Sequence, residues 1–265
     1  MRRAVAFPVP VAFVPMYTPS ERERIRAGIL ARAREDPRIT GGALTGSAAA
    51  DNEDEWSDID LAFGVASAAD VAPVLADYSS YMYETHGVMH DVDVTAGAWI
   101  YRVFLLPNTL QVDLAFAPAS DFGARAPTFR LLFGEAADLT HVPPPDATVL
   151  IGYAWLYALH VRSSLARGKL WQAEYMVSAM RDQALALACL RHDLPAREGR
   201  GLDRLPEDLR TRYEDALVPG MSVDAIGRAF RAATALALEE IGHVDSALEG
   251  RVRPVMLTLA ESWRR

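Results

Sequence analysis

The stretch Trp56-Ser57-Asp58-Ile59-Asp60-Leu61-Ala62-Phe63 decides how the first half of the chain is interpreted. Its polar and apolar residues alternate with period two, which predicts a strand buried on one face. Residues two apart on a strand project from the same face, so Asp58 and Asp60 lie side by side. Adjacent carboxylates repel each other and are costly to bury unless they share a cation. Oxygen ligands of this kind suit magnesium.

A second alternating run, Gln111-Val112-Asp113-Leu114-Ala115-Phe116, carries a third acid. If this strand pairs beside the first, Asp113 joins the other two carboxylates at a cross-strand distance of about 5 Å. A competing same-face pair, Asp91 and Asp93, lies on the strand-like residues 88–95. That run is less apolar and less regular, which favours a solvent-facing strand.

Gly46-Ser47 follows a short buried strand, residues 39–44, and precedes a helical turn. In that position backbone amides and a hydroxyl can hold phosphate oxygens, and a glycine lets the backbone approach closely. We therefore expect Gly46 and Ser47 to bind a nucleotide.

The order of these motifs resembles that of the nucleotidyltransferases related to DNA polymerase β. The family pattern is Gly-Ser, a variable loop, Asp-x-Asp or Asp-x-Glu, and a later acid. In this chain the pattern is Gly46-Ser47, a loop, Asp58-Ile59-Asp60 and Asp113. Trp56-Ser57 is similar to the aromatic residue and serine that often precede the first acid in that family. Within the family, the likeness is to antibiotic nucleotidyltransferases of the lincosamide and aminoglycoside type, which join such a domain to a C-terminal helical bundle.

The resemblance implies an enzyme that transfers a nucleoside monophosphate from a nucleoside triphosphate to a hydroxyl of a small molecule and releases pyrophosphate. ATP is the expected donor, and an aminoglycoside or a lincosamide is the expected acceptor. Asp58 and Asp60 would bind one or two magnesium ions. Asp113 would ligate a second ion or take the proton of the acceptor hydroxyl. The alternatives are a protein-modifying nucleotidyltransferase and a catalytically silent nucleotide-binding or antitoxin-like module.

Two residues of the second half extend this predicted site. The run Arg167-Gly168-Lys169-Leu170-Trp171-Gln172-Ala173-Glu174 looks similar to the family's helical domain. Lys169 is expected near the nucleotide's leaving pyrophosphate, with an ordinary surface charge as the alternative. Glu174 is expected to bind an acceptor amine or act as a base, with a plain surface residue as the alternative. Together with the acidic loop of residues 51–55, Glu174 indicates a cationic acceptor.

Strand-like runs recur between Ile39 and Phe116, with helices expected from Ser20 and over residues 69–85. From Pro143 onward the sequence is rich in alanine, leucine and arginine at helical spacing. We therefore predict an α/β (α+β) nucleotidyltransferase domain with a small mixed sheet over residues 1–142. An all-α helical bundle is predicted over residues 143–265. Its helices are expected near residues 148–167, 170–191, 206–217, 223–241 and 251–263. The aromatic residues at helical spacing are assigned to the bundle core; they are Trp155, Tyr157, Trp171 and Tyr175.

Composition indicates which binding partners and which cellular compartment are to be expected. The chain has 265 residues and a formal net charge of -8, so its overall field disfavours a nucleic-acid partner. No segment is apolar enough without interruption to cross a membrane. The single cysteine, Cys189, is expected in the core and cannot form an internal disulfide, which fits the cytoplasm. A monomer and a homodimer both remain open.

The N-terminal stretch is apolar over residues 4–16 but contains Pro8, Pro10 and Pro15. These prolines interrupt a helical segment, so we expect an extended arm packed on the domain and not a secretory leader. The first helix is expected at a capping box formed by Ser20 and Glu23.

Overall fold

The computed structural model describes residues 16–264 of the chain. The predicted N-terminal arm lies outside the described residues, apart from Met16. The chain divides into two compact units, of which the first ends at Val142 and the second begins at Pro143.

The first unit contains a six-stranded sheet, whose strands follow the order β3-β4-β5-β2-β1-β6. Strands β2 and β5 are parallel, and every other neighbouring pair is antiparallel, so the sheet is mixed as predicted. The elements of this unit are α1 (Pro19–Glu35), β1 (Ile39–Thr45), α2 (Gly46–Ala49), β2 (Ile59–Val65), α3 (Val71–His86), β3 (His90–Ala96), β4 (Trp99–Leu105), β5 (Gln111–Pro118) and β6 (Phe129–Gly134).

The two faces of the sheet are packed differently. On one face, large side chains of β2, β4 and β5 form a core with α1 and α3. Phe63, Tyr78 and Phe116 form its aromatic centre, with ring centroids 5.2–5.8 Å apart. The other face is lined by small residues that pack with Trp99 and Phe122; they are Ala43, Ala62, Ala115 and Ala117.

Strand β2 departs from its prediction in two ways. It begins at Ile59, so Asp58 lies immediately before the strand and not within it. It is also buried on both faces from Leu61 onward, because Ala62 is covered as completely as Leu61. The prediction of burial on one face was therefore wrong for most of the strand, since β2 is an interior strand of the sheet. Strand β6 was not predicted.

The N-terminus of α1 differs from its prediction by two residues. The capping residue is Thr18, whose Oγ1 accepts from the Glu21 amide at 3.2 Å, while the Thr18 amide donates to Glu21 Oε2 at 2.7 Å. Pro19 takes the first helical position, which its fixed φ favours. Of the residues in the predicted box, Glu23 instead accepts hydrogen bonds from the Arg26 guanidinium.

The second unit is helical, as predicted. Cys189 is fully buried in its core, and burial raises the pKa of the thiol. Within the described residues, no helix combines the length and the apolar content needed to cross a bilayer. The helices are α4 (Ala147–Ala166), α5 (Leu170–Arg191), α6 (Glu207–Glu214), α7 (Val223–Val244) and α8 (Ser246–Glu261).

Three of the four aromatic residues assigned to the bundle core lie on the surface instead, and Trp155 on α4, 41% exposed, is one of them. Trp171 is 78% exposed and Tyr175 is 67% exposed. They follow one another by one turn on an outer face of α5, so helical spacing identified a common face but not which side of the helix is buried. Tyr157 packs partly buried against the core.

We predict that Phe116→Ala lowers the free energy of unfolding by about 3–5 kcal/mol, because it removes a fully buried ring from the aromatic centre of the first unit. Urea denaturation followed by fluorescence would measure the change. Met89→Ala, at a side chain that is 65% exposed, is the control and should change the free energy by less than about 0.5 kcal/mol. Equal effects of the two substitutions would contradict the described packing.

Candidate functional site

Three aspartates converge at one end of the parallel pair β2 and β5. Asp60 on β2 is the direct register partner of Asp113 on β5, and Asp58 precedes β2 by one residue. One carboxylate oxygen from each of the three lies within 4.8 Å of the others, and all three residues are half-buried. The structure therefore brings together the three acids that the sequence singled out, in an arrangement that could hold a metal ion.

The turn at Gly46 lies directly against this cluster. Gly46 has a φ of 58°, and a Cβ atom built on it would lie 1.9 Å from Asp60 Oδ2. No other residue type fits here without moving the carboxylate, because a side chain would meet both a left-handed backbone and an occupied position. Ser47 follows as the second residue of α2 and is half-buried. The Gly-Ser turn and the acids therefore form one site.

Gln111 links two of the aspartates. Its side-chain Nε2 donates to Asp113 Oδ1 at 3.0 Å and approaches Asp58 Oδ2 at 3.4 Å. Gln111 was not identified from the sequence, although it lies two positions before Asp113 on the same face of the same alternating run. An amide between two carboxylates offsets part of their repulsion.

The cluster raises the pKa of the Asp113 carboxyl to about 6, above its ordinary value of 3.8. Burial is the main cause, and the negative charge of Asp58 adds to it, while the hydrogen bond from Gln111 acts in the opposite direction. A carboxyl with a raised pKa is destabilising when it ionises in the folded protein. The metal-free cluster is therefore electrostatically unfavourable at neutral pH.

Helix α1 holds the loop that leads into Asp58. Arg22 is only 5% exposed, and its Nη1 donates to the carbonyl oxygens of Asp54 at 2.6 Å and Ser57 at 2.9 Å. The Tyr17 hydroxyl donates to the same Ser57 carbonyl at 3.1 Å. These contacts fix the backbone immediately before Asp58. Neither Arg22 nor Tyr17 was identified from the sequence.

Most of the acidic side chains in this loop are already paired. Glu53 accepts from Arg26 at 2.8 and 3.1 Å and lies 3.4 Å from Arg22 Nε. The partners come from the buried side of α1, so Glu53 stabilises the loop and does not present a free charge to a ligand.

Two other acidic side chains of this loop, Asp51 and Asp54, also have hydrogen-bond partners within the first unit. Asp51 accepts from Arg130 at 2.6 Å, and Arg130 also donates to the Ala48 carbonyl at 2.8 Å. Asp54 accepts from the Trp56 amide at 2.9 Å within the loop itself. Glu53 and Asp51 are thus paired with arginines, whereas among the described residues Asp54 accepts only from neutral donors. The cationic acceptor expected from the acidic loop stays a prediction.

Asp91 and Asp93, the competing same-face pair, do not reach the cluster. They lie on the edge strand β3, on the sheet face that packs against α3, with β4 and β5 between them and β2. Arg102 lies 2.6 Å from Asp93 and 3.3 Å from Asp91, and the Tyr83 hydroxyl donates to Asp91 at 2.6 Å. The pair therefore ties β3 to β4 and α3.

Lys169 and Glu174 belong to the second unit. Lys169 is exposed at the N-cap of α5, and Glu174 is half-buried one turn later, where its Oε1 accepts from Ser178 Oγ at 2.8 Å. Their expected roles stay predictions.

Comparisons with known proteins add a similarity to solved structures. No protein-family model and no curated protein matches the sequence. Among solved structures, the chain is similar to an aminoglycoside 6-adenyltransferase from Bacillus subtilis, with a TM-score of 0.41 and 13% sequence identity over 90% of this chain and 98% of that chain.

We predict that Gly46→Ala weakens Mn²⁺ binding about 10- to 100-fold, because the added methyl group displaces the Asp60 carboxylate. Isothermal titration calorimetry would measure the affinity. Gly97→Ala is the matched control: Gly97 has a similar φ of 62°, but a Cβ there meets nothing within 4 Å. Equal losses of affinity in both variants would show that backbone strain, and not contact with Asp60, is responsible.

We further predict that Asp113→Asn stabilises the metal-free protein near pH 7.5. Because the pKa of Asp113 is raised in the folded protein, ionisation of this carboxyl lowers the free energy of unfolding. This destabilisation is absent below the ordinary pKa near 4 and is fully present once the pH has risen through about 6. Water still reaches part of the side chain, so we expect about 1 kcal/mol, or about 2–4 °C in melting temperature. Thermal melts at pH 4 and 7.5 would measure it. The same gain at both pH values would contradict the electrostatic explanation.

Proposed function

We propose that the protein is a magnesium-dependent nucleotidyltransferase that transfers a nucleoside monophosphate to a hydroxyl of a small molecule. The observation that carries this proposal is the convergence of Asp58, Asp60 and Asp113 within 4.8 Å beside the backbone of Gly46. Carboxylates alone would bind a cation, and a turn alone would bind an anion. Their contact supports a site that takes a metal and a phosphate together.

The residues present fit magnesium. The cluster offers only carboxylate oxygens, which are the ligands this ion prefers. Burial, and to a smaller extent the charge of Asp58, raises the pKa of Asp113, so a bound cation would stabilise the ionised carboxylate. Asp58, Asp60 and Asp113 would hold one or two ions. When bound, magnesium neutralises triphosphate charge and polarises the phosphoryl group that is transferred.

The chain's own residues position the reactants. The Gly46 backbone and the Ser47 hydroxyl would hold phosphate oxygens of the donor, for which ATP is proposed. The acceptor oxygen forms a bond to the α-phosphorus, the bond to pyrophosphate breaks, and the hydroxyl proton passes to a carboxylate. Asp113 is proposed either as that proton acceptor or as a further metal ligand.

The remaining assignments extend this proposal to the acceptor and the second unit. The first unit would be the catalytic domain, and residues 143–265 would form the helical bundle domain. Lys169 would contact the leaving pyrophosphate, and Glu174 would contact the acceptor. The antibiotic class, an aminoglycoside or a lincosamide, is proposed from the resemblance of the motifs.

We predict that Asp58→Asn reduces transfer by at least about 10²–10³-fold while the fold stays intact, because it removes one charge that holds the metal. Purified protein would be incubated with Mg²⁺, α-labelled ATP and a panel of aminoglycosides, lincosamides and proteins. Labelled product and circular dichroism would be recorded together.

The matched control is Asp91→Asn, an aspartate in the same unit that pairs with Arg102 and lies outside the cluster. We expect its activity to stay within about twofold of the unmodified chain. Full activity of Asp58→Asn, or an equal loss in Asp91→Asn, would contradict the proposed site.

A further inference from the structure

The sheet face that carries Asp113 continues past it across two more strands. Val103 on β4 is the direct partner of Asp113, and Val92 on β3 is the direct partner of Val103. Direct partners project from the same face, so the three side chains form one row. Neighbouring strands lie about 4.8 Å apart, so the row extends about 10 Å from Asp113. That is the span of a small molecule.

The apolar pair Tyr101 and Val94 flanks this row on one side, toward the centre of the strands. Leu105, between Gln111 and His90, flanks it on the other side. We call the following five residues the apolar floor: Val92, Val94, Tyr101, Val103 and Leu105.

The apolar floor is open to solvent. Val92 is 55% exposed, Val94 is 54% exposed and Leu105 is 49% exposed, since α1 and α3 pack on the opposite face of the sheet. Contiguous apolar side chains that remain exposed on a folded domain commonly mark a binding surface.

The charged residues of β3 and β4 are directed away from this surface. Asp91, Asp93 and Arg102 lie on the opposite face and pair with one another. Within these two strands, His90 alone among the charged and ionisable residues other than tyrosine shares the face of the floor. A ligand lying on the floor therefore meets hydrocarbon and one phenol ring, with His90 beside Leu105 at one end, until it reaches Asp113.

We propose that the apolar floor binds the acceptor of the transfer reaction, and that this acceptor has one apolar face and a hydroxyl at its edge. The inference rests on the proposed function. A molecule lying over Val103 and Val92 places its edge beside Asp113, where the hydroxyl is needed. A polar, cationic ring would lose hydration over the valines without gaining a partner, so an alkyl-bearing sugar is favoured over a polyamine sugar.

Two probes distinguish these acceptor classes. Lincomycin carries an alkyl-substituted ring beside its sugar hydroxyls, whereas kanamycin carries hydroxyl and ammonium groups on every ring. Each would be titrated calorimetrically into the full chain saturated with Mg²⁺ and α,β-methylene ATP, which cannot transfer its nucleotide. We expect lincomycin to bind more tightly than kanamycin.

The Val92→Gln/Val94→Gln double variant tests the surface itself. We expect lincomycin to bind it about tenfold more weakly, with the affinity for the nucleotide analogue unchanged. Val255→Gln is the control, because Val255 is 58% exposed on α8 and should leave both affinities unchanged. Val92→Ile/Val94→Ile keeps the floor apolar and should retain lincomycin binding, which separates loss of contact from loss of folding.

Several results would overturn the inference: kanamycin binding at least as tightly as lincomycin, no binding of lincomycin, or equal lincomycin affinity in the Gln/Gln variant. A dimer of the unmodified chain that becomes a monomer in that variant would also overturn it, because a second copy would then cover the floor. Failure of the proposed function is distinguishable, since the unmodified chain would then neither bind the magnesium–nucleotide complex nor transfer labelled nucleotide to any acceptor.

Discussion

The parallel pairing of β2 with β5 is the constraint on which the site depends. Because the two strands run in the same direction and in register, Asp60 and Asp113 are held side by side. Asp58 joins them because it lies immediately before the first residue of β2. Three carboxylates repel one another and would not adopt this arrangement without stabilising contacts elsewhere in the fold. The aromatic core of Phe63, Tyr78 and Phe116 on the opposite face supplies the burial that keeps the strands together.

The surroundings of the acids are arranged to tolerate this repulsion without removing it. Gln111 donates to the cluster, and Arg22 holds the backbone before Asp58, yet burial still raises the pKa of Asp113. The nearby acid Glu53, by contrast, is neutralised by arginines of α1. Three carboxylates gathered within 4.8 Å of one another are the arrangement expected where a cation is to be bound.

The sequence predicted the mixed sheet, the helical second unit and the three aspartates, because hydrophobic periodicity and motif order report local structure. It did not predict β6, which has no fully buried residue and no regular alternation and is recognised by its pairing with β1. It also assigned Trp171 to the core, although that side chain is exposed. The pairing of Glu53 with Arg26 joins residues 27 positions apart, so only the folded chain could show that this acid of the loop is neutralised.

The most direct test of the account is the anomalous diffraction of a crystal grown with Mn²⁺ and α,β-methylene ATP. We expect manganese peaks about 2.0–2.3 Å from carboxylate oxygens of Asp58, Asp60 and Asp113, with phosphate density against the backbone of Gly46. Manganese bound elsewhere, or a nucleotide whose phosphates lie away from that turn, would contradict it.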